Sequence, residues 1–234
     1  MSEPIVETSD QAEPVRPAAT VVLVRDGVEG LEALLVQRNK AVQHMGGMWV
    51  FPGGKVDAPD YPADGDAYQA AVNAAIRETA EEAGLTVTQD QLVYLSHWTT
   101  PAGAKRRFAT WFFLTILDDD QEVVVDGGEI ANHRWVRPQI ALAESLDEAE
   151  PLRLVPPTFV SLKDLAECGS CAEAREIFTA REPLQYAPRM VFVTDGICFL
   201  YQGDAGYDTE SLEAAGNRHR LYMVNDKLDY IREL

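Results

Sequence analysis

Short apolar runs, separated by glycine, proline and charged residues, fill the first 150 positions of the chain. Runs that are rich in β-branched and aromatic residues are typical of strands. They predict six strands, at 19–24, 31–36, 48–51, 92–98, 108–117 and 134–136. Asp26-Gly27 and Gly30 separate the first two runs, which indicates that these strands pair as a hairpin.

Two segments of the same region have the spacing of helices. Alanine recurs at helical intervals between Ala67 and Ala83, in a stretch of high helix propensity, and Gly84 supplies the stop. A second helix is predicted over 138–145, where proline occupies the first position. The order β-β-β-α-β-β-β-α predicts a mixed α/β fold.

The pattern changes beyond residue 150. Pro156-Pro157 precedes two predicted helices, and Asp195-Gly196 is a short hairpin signal between two alternating runs. The helices are predicted near 158–167 and 171–180, and the strands at 190–194, 197–201 and 220–224. This part is therefore predicted to be an α+β extension rather than a linker.

The first sixteen residues carry acidic residues between prolines and show no apolar periodicity. We therefore expect three segments along the chain. They are a disordered acidic tail at 1–16, an α/β domain at 17–148, and an extension at 149–234 packed on that domain.

Charge narrows the range of partners. The chain has 38 acidic and 20 basic residues, a formal net charge of -18, which repels a phosphate backbone. We therefore expect no polymeric nucleic acid as partner, while a small anionic substrate remains compatible. No apolar run has the roughly 18 residues that a membrane helix needs, and three cysteines are too few for a disulfide scaffold. These features favour a cytoplasmic protein without membrane contact.

A cluster of carboxylates lies near the end of the first predicted helix. Glu78 and Glu82 are four residues apart, and Glu78 and Glu81 are three apart, so all three gather on one helix face. Such like charges repel each other, and a hard divalent cation turns that repulsion into binding. A solvated acidic face is the alternative interpretation of the same spacing.

The residues around this cluster resemble the signature of the Nudix family, G-x5-E-x7-R-E-U-x-E-E-x-G-U, in which U is aliphatic. A glycine that ends an apolar run lies upstream, and the arginine stands directly before the first glutamate of the cluster. The matching residues are Gly54, Arg77, Glu78, Glu81, Glu82, Gly84 and Leu85. Thr79 departs from the pattern. The resemblance covers about residues 18–142 and implies an α/β/α sandwich with a mixed β-sheet.

The resemblance also implies roles for individual residues. Glu81 and Glu82 would be the main ligands of Mg²⁺ or Mn²⁺, and Glu78 would bind metal or orient the attacking water. Arg77 would brace the loop beneath them. The family often places a further acidic residue on a later loop, as metal ligand or base, and Glu129 is the candidate in this chain, against the alternative of a solvated turn glutamate. The expected catalytic residues are thus Glu78, Arg77 and Glu129.

The spacing departs from the signature in one place. The pattern puts the arginine 14 positions after the glycine, whereas Gly54 and Arg77 are 77 − 54 = 23 apart, an insertion of nine that we place at 58–66. Counting eight back from Arg77 reaches Gln69, so the first glutamate of the signature is absent in this register. Asp66 or Asp57 would be its substitute.

The segment from Leu34 to Gly54 is similar to the one that coenzyme A-cleaving Nudix enzymes carry before their signature. With the lengthened signature and the extension, the chain looks most like the peroxisomal coenzyme A diphosphatase branch and its bacterial relatives. The expected substrate is therefore a small nucleotide-containing diphosphate, with coenzyme A or an acyl-coenzyme A first. The expected substrate-binding residues are Arg38, Gly53, Gly54, Lys105 and Arg107.

Several alternatives stay open at this point. ADP-ribose, nucleotide sugars and dinucleotides are other substrates that the same chemistry would serve. A catalytically silent Nudix-fold ligand sensor is the alternative of another class, which the presence of all three glutamates disfavours. Because Nudix domains are often dimers, the resemblance also favours a homodimer.

Overall fold

The computed structural model describes residues 14–42, 45–117 and 121–234. The strands are β1 (Val15–Gly27), β2 (Gly30–Arg38), β3 (Trp49–Val50), β4 (Gly53–Lys55), β5 (Val93–Thr99), β6 (Arg107–Ile116), β7 (Ile130–Val136), β8 (Leu184–Tyr186), β9 (Arg189–Val193), β10 (Gly196–Leu200), β11 (Arg218–Val224) and β12 (Lys227–Glu233). The helices are α1 (Ala67–Ala83), α2 (Pro138–Glu144), α3 (Pro156–Ala166) and α4 (Cys171–Ala180).

Eight strands form one mixed sheet with the order β3-β2-β1-β6-β5-β8. In addition, β4 pairs with β1, and β7 pairs with β2. The pairs β1–β6 and β5–β8 are parallel, and the remaining pairs are antiparallel. β1 and β2 form the predicted hairpin, which closes where Gly27 pairs with Gly30.

The helix α1 packs on one face of this sheet through a stripe of small residues. Ala70, Ala71, Ala74 and Ala75 are all fully buried, and their small side chains let the helix lie close to β1. The Asp66 side chain caps the amino end of α1 by accepting from two backbone N–H groups. This docking fixes the position of the acidic residues in the last turns of the helix.

The opposite face of the large sheet packs against the C-terminal part of the chain. β9–β12 form a second, antiparallel sheet, and α3 and α4 contribute to the same apolar cluster. Trp98 of β5 stacks on Tyr186 of β8 with ring centroids 3.8 Å apart, and Tyr201 meets both rings edge-on. The C-terminal part therefore shares one core with the large sheet.

The predicted mixed α/β fold with a C-terminal α+β extension is confirmed. β1 begins at Val15, inside the segment predicted as a tail, while residues 1–13 of that tail lie outside the described residues. The structure adds three strands that the sequence pattern did not predict, namely β4, β8 and β12. No helix in the described ranges is long and apolar enough to cross a bilayer.

Candidate functional site

The segment Gly53-Gly54, which belongs to β4, approaches the acidic face of α1 so closely that only glycine fits there. The Gly53 N–H donates to a carboxylate oxygen of Glu82 at 2.9 Å. A Cβ added at Gly54 would overlap the carboxylate of Glu78. β4, which contains both glycines, is held against β1, where Gly54 pairs with Ala19. The two glycines predicted to bind substrate thus lie directly against the glutamates of α1.

Arg77 connects the loop to the helix. Its Nε and Nη2 donate to the two carboxylate oxygens of Asp60 at 3.0 and 2.8 Å, and Nη2 also donates to the carbonyl oxygen of Lys55 at 3.0 Å. Its Nη1 donates to Glu78 at 2.8 Å and to Glu81 at 3.1 Å. Arg77 therefore holds the loop and two of the glutamates at the same time, in the position expected of a brace.

Asp60 belongs to the site although the sequence pattern did not indicate it. It is buried, at 6% exposure, and the hydrogen bond from Arg77 lowers the pKa of its carboxyl. Of the two predicted substitutes, Asp66 caps the start of α1. Gln69, the residue in register with the missing glutamate, bonds to Asn73 and Gln89. Asp57 is 64% exposed, with an oxygen 3.9 Å from Arg77.

Counting forward from Gly54 would have found Asp60, because 60 − 54 = 6 is the spacing of the signature. The extra residues then fall between Asp60 and Arg77, where 77 − 60 = 17 replaces the eight of the pattern. The expected insertion at 58–66 is therefore placed too early. The stretch between Asp60 and Arg77, which holds the nine additional residues, consists of the loop 61–66 and the first ten residues of α1, which begins at residue 67.

Glu78 and Glu82 are the largely buried glutamates of the cluster. Burial raises the pKa of Glu82 to about 7, and the charges of Glu78 and Glu129 act in the same direction. Burial also raises the pKa of Glu78, against the opposing effect of the Arg77 hydrogen bond. Both carboxylates therefore carry a desolvation cost that an additional positive charge would reduce.

The exposed acids of the site border this buried pair. The side chain of Glu81 is 59% exposed on the helix, and that of Glu129 is 66% exposed on the loop before β7. Arg38, at the end of β2, lies between the two groups: it donates to Glu129 at 3.2 Å and stands 3.9 Å from Glu82. Arg38 and Glu129 are thus brought to the acidic cluster from distant parts of the sequence.

The donor set of this cluster fits a hard divalent cation. Carboxylate oxygens are the ligands that Mg²⁺ prefers, and it keeps several waters and takes further oxygens from substrate phosphates. Within the described ranges, no three His, Cys, Asp or Glu side chains already stand together as a cation cage. Glu78, Glu81 and Glu82 supply carboxylate oxygens of the kind that such a cation prefers, and they do not meet as a cage in this structure.

Lys105 and Arg107 lie in a different place. Lys105 belongs to the connection between β5 and β6, and Arg107 is the first residue of β6. There Arg107 pairs with Val15 at the start of β1, and its Nε donates to the carbonyl oxygen of Thr100. Arg107 lines a groove that β5, β6 and the residues around β9 form, and no glutamate of α1 lines that groove. Their role as substrate ligands stays a prediction.

Comparisons with known proteins identify a family that matches more than half of the chain. A family model described as NUDIX domain matches residues 14–156. Caenorhabditis elegans nudix hydrolase 7 is 25% identical over 236 residues, which cover 85% of this chain and 77% of that protein. Homo sapiens acyl-coenzyme A diphosphatase NUDT19 is 32% identical over 125 residues, which cover 50% of this chain and 33% of the human protein. The crystal structure of a NUDIX hydrolase from Alicyclobacillus acidocaldarius is similar over 73% of this chain and 97% of its own, with 25% sequence identity and a TM-score of 0.61.

Proposed function

Because the chain belongs to the Nudix family of diphosphate-bond hydrolases, we propose that it cleaves the diphosphate of coenzyme A or an acyl-coenzyme A with Mg²⁺ or Mn²⁺. Nudix hydrolases generally use divalent cations. The observation that carries the proposal is the convergence of Glu78 and Glu82 on the Gly53-Gly54 loop, with Arg77 holding both sides together.

Two observations favour coenzyme A among the diphosphate substrates. The human relative that is 32% identical over half of this chain is named an acyl-coenzyme A diphosphatase. In addition, nine extra residues follow Asp60, so that the segment is lengthened as in the coenzyme A diphosphatase branch that the sequence resembles. Both features concern the Nudix domain itself.

The residues of the site have different roles in the proposed reaction. Glu78, Glu81 and Glu82 would hold the divalent cation, which when bound neutralises charge on the diphosphate and activates water. Arg77 fixes the positions of Glu78 and Glu81 through its Nη1, so that two ligands move little. This preorganisation lowers the cost of assembling the charged transition state.

Two residues on the opposite side of the cluster act on the substrate. Arg38 directs its guanidinium toward the buried acids, where it binds a phosphate oxygen with its planar donors. Glu129 is exposed and lies next to Arg38, so that its carboxylate accepts the proton of the attacking water. Bond cleavage then releases one phosphate-bearing product from each side of the diphosphate.

The test is hydrolysis of a panel that contains coenzyme A, acetyl-coenzyme A, ADP-ribose, NADH, diadenosine polyphosphates and UDP-glucose. Each is assayed with Mg²⁺ and with Mn²⁺, and the products are identified by mass. The variants are Glu81→Gln and, as a matched control on the surface of α4, Glu176→Gln. We expect coenzyme A to yield 3′,5′-ADP and phosphopantetheine, with a loss of at least about 100-fold in Glu81→Gln and none in the control.

The outcomes separate the parts of the proposal. Cleavage of another panel member, lost in Glu81→Gln, keeps the mechanism and replaces the substrate. Full activity of Glu81→Gln removes the proposed metal site. Silence of the wild-type protein on the whole panel supports a ligand sensor instead of an enzyme.

A further inference from the structure

Glu129 differs from the other acids of the candidate site in the segment that carries it. The glutamates of α1 are held in fixed relative positions by the hydrogen bonds of the helix. Glu129 lies instead on the segment 121–129, which has no regular secondary structure and leads into β7. It follows Gly127, whose backbone is left-handed at φ 72°, and Gly128. Because glycine has the greatest backbone freedom, the position of Glu129 depends on further contacts.

Two backbone hydrogen bonds tie this segment to the elements that form the site. Near its start, the N–H of Val124 donates at 2.8 Å to the carbonyl oxygen of Ala83, the last residue of α1. At its end, the carbonyl oxygen of Glu129 accepts at 2.7 Å from the N–H of Asn39, which directly follows β2. The segment therefore spans from the helix of the acidic cluster to the strand that carries Arg38.

The side chain of Asp126 fixes the turn between these two bonds. Its Oδ2 accepts from the N–H groups of Gly128 at 3.0 Å and Glu129 at 2.8 Å, and its Oδ1 accepts from the N–H of Ile130 at 2.8 Å. Desolvation acts to raise the pKa of Asp126, but the hydrogen bonds from Glu129, Ile130 and Gly128 outweigh it and lower the pKa. The carboxylate is therefore ionised at pH 7 and accepts all three bonds.

The turn brings the Glu129 carboxylate to Arg38. The Arg38 Nη2 donates to Glu129 at 3.2 Å, and its Nη1 lies 3.9 Å from an oxygen of Glu82. The side chain of Glu129 is 66% exposed, so packing does little to hold it there. The location of this carboxylate beside the acidic cluster is therefore set by the backbone of the turn, which Asp126 holds.

We propose that Asp126 is a positioning residue, which holds the Glu129 carboxylate at Arg38 and the acidic cluster through the backbone of the turn. Both oxygens of Asp126 are engaged by backbone N–H groups, so it acts through Glu129. The inference rests on the proposed function, in which Glu129 accepts the proton of the attacking water. A base must lie within hydrogen-bond reach of that water, so a loosened turn lowers turnover rather than substrate affinity.

The first test uses nuclear magnetic resonance of the full chain without a divalent cation. Hydrogen exchange of the amides at 128–130 is expected to accelerate on the order of 10-fold in Asp126→Ala, and less in Asp126→Asn, which keeps an acceptor oxygen. The Arg38 guanidinium signals should shift in Asp126→Ala in the same direction as in Glu129→Gln. The matched control is Asp147→Ala, because Asp147 accepts from two backbone N–H groups of another exposed turn. It should change neither readout.

The second test measures kcat and KM on the panel substrate that is cleaved. Asp126→Ala is expected to lower kcat by about 10-fold or more and to leave KM close to the wild-type value. Asp126→Asn should recover part of the loss, and Asp147→Ala should show none. In the Glu129→Gln background, Asp126→Ala should lower kcat no further, because residues that act as a unit are not additive. An equal loss in both backgrounds overturns the positioning role.

The two tests separate this inference from the proposed function, because the resonance measurements need no hydrolysis. Equal amide exchange and equal Arg38 signals in wild type and Asp126→Ala overturn the inference, even if the panel shows metal-dependent cleavage. Conversely, faster exchange together with the Arg38 shift supports Asp126 as the residue that positions Glu129, even if no panel member is cleaved and the proposed function fails.

Discussion

Arg77 donates to four different residues with one guanidinium group. Its planar fork donates to both oxygens of Asp60, and the remaining donors reach the carbonyl of Lys55 and the carboxylates of Glu78 and Glu81. A lysine has only one nitrogen and could not span these directions. The identity of this residue therefore follows from the geometry of its partners.

Asp60→Asn is expected to destabilise the protein by about 2 kcal/mol, because it removes the charge from a buried acceptor of two Arg77 hydrogen bonds. Asp57→Asn is the matched control, since Asp57 is exposed and lies 3.9 Å from the same arginine. Its effect is expected to stay below about 1 kcal/mol. Urea denaturation measures both, and a cost for Asp57→Asn equal to that of Asp60→Asn would show that the brace is assigned to the wrong carboxylate.

The three glutamates could be predicted from the sequence more readily than Asp60, because their grouping depends only on spacing within one helix. Glu78, Glu81 and Glu82 are separated by helical spacings, so their common face can be derived without knowledge of the rest of the fold. The partner of Arg77 lies across an insertion, where counting from Gly54 and counting from Arg77 give different residues. Only the path of the backbone decides between them.

At the scale of elements, β4 is a strand that its own sequence does not predict. Gly53-Gly54 has poor strand propensity, and the pattern predicted that the preceding strand simply ends there. The segment becomes a strand because β1 offers it an edge, with Thr20 paired to Gly53 and Ala18 to Lys55. Tertiary pairing, which a local pattern cannot contain, overrides propensity at this position.

Gly54→Ala is expected to reduce metal affinity by about 10-fold or more while the protein remains folded. The added methyl group would occupy the position of the Glu78 carboxylate and displace it from the cluster. Gly169→Ala serves as the control, because its methyl group would meet only the flexible end of Glu173. Titration of Mn²⁺ followed by electron paramagnetic resonance reports the affinity. Equal Mn²⁺ binding by both variants would argue against Glu78 as a ligand.

At the scale of the whole molecule, a buried ion pair organises the connection between β10 and β11. The Asp204 carboxylate accepts hydrogen bonds from Nε and Nη2 of Arg220 at 2.8 Å each. It also accepts from the backbone N–H groups of Gly206 and His219. Both charged side chains are almost fully buried. The connection is therefore held by a charged network whose parts depend on each other.

Asp204→Asn is expected to cost about 3 kcal/mol at pH 7, because Arg220 would remain buried without its counterion. Burial raises the pKa of Asp204, but the bonds from Arg220 and the backbone outweigh it, and the result is a pKa of about 2. A lowered pKa gives stability that is complete above the unfolded value near 4 and is lost as pH falls toward 2.

Urea midpoints between pH 7 and pH 2 measure this dependence. The wild type should lose stability over that acidic window, and Asp204→Asn should lose less over the same range. Glu210→Gln, which removes an exposed ion pair with Arg189 in the same connection, should change stability by less than about 1 kcal/mol. A parallel acid response of wild type and Asp204→Asn would assign the pH dependence to other groups.

The strand β8 has only three residues, yet it covers β5, which would otherwise be the seven-residue border of the large sheet. A long exposed edge strand pairs readily with strands of other chains, whereas a very short edge strand does not. Ending the chain at residue 148 would expose the edge of β5 and its ring of Trp98, which stacks on Tyr186 in the full chain. The shortened protein would therefore tend to aggregate. For recombination or domain transplantation, the Nudix domain and the C-terminal part that follows residue 148 should therefore be transferred together.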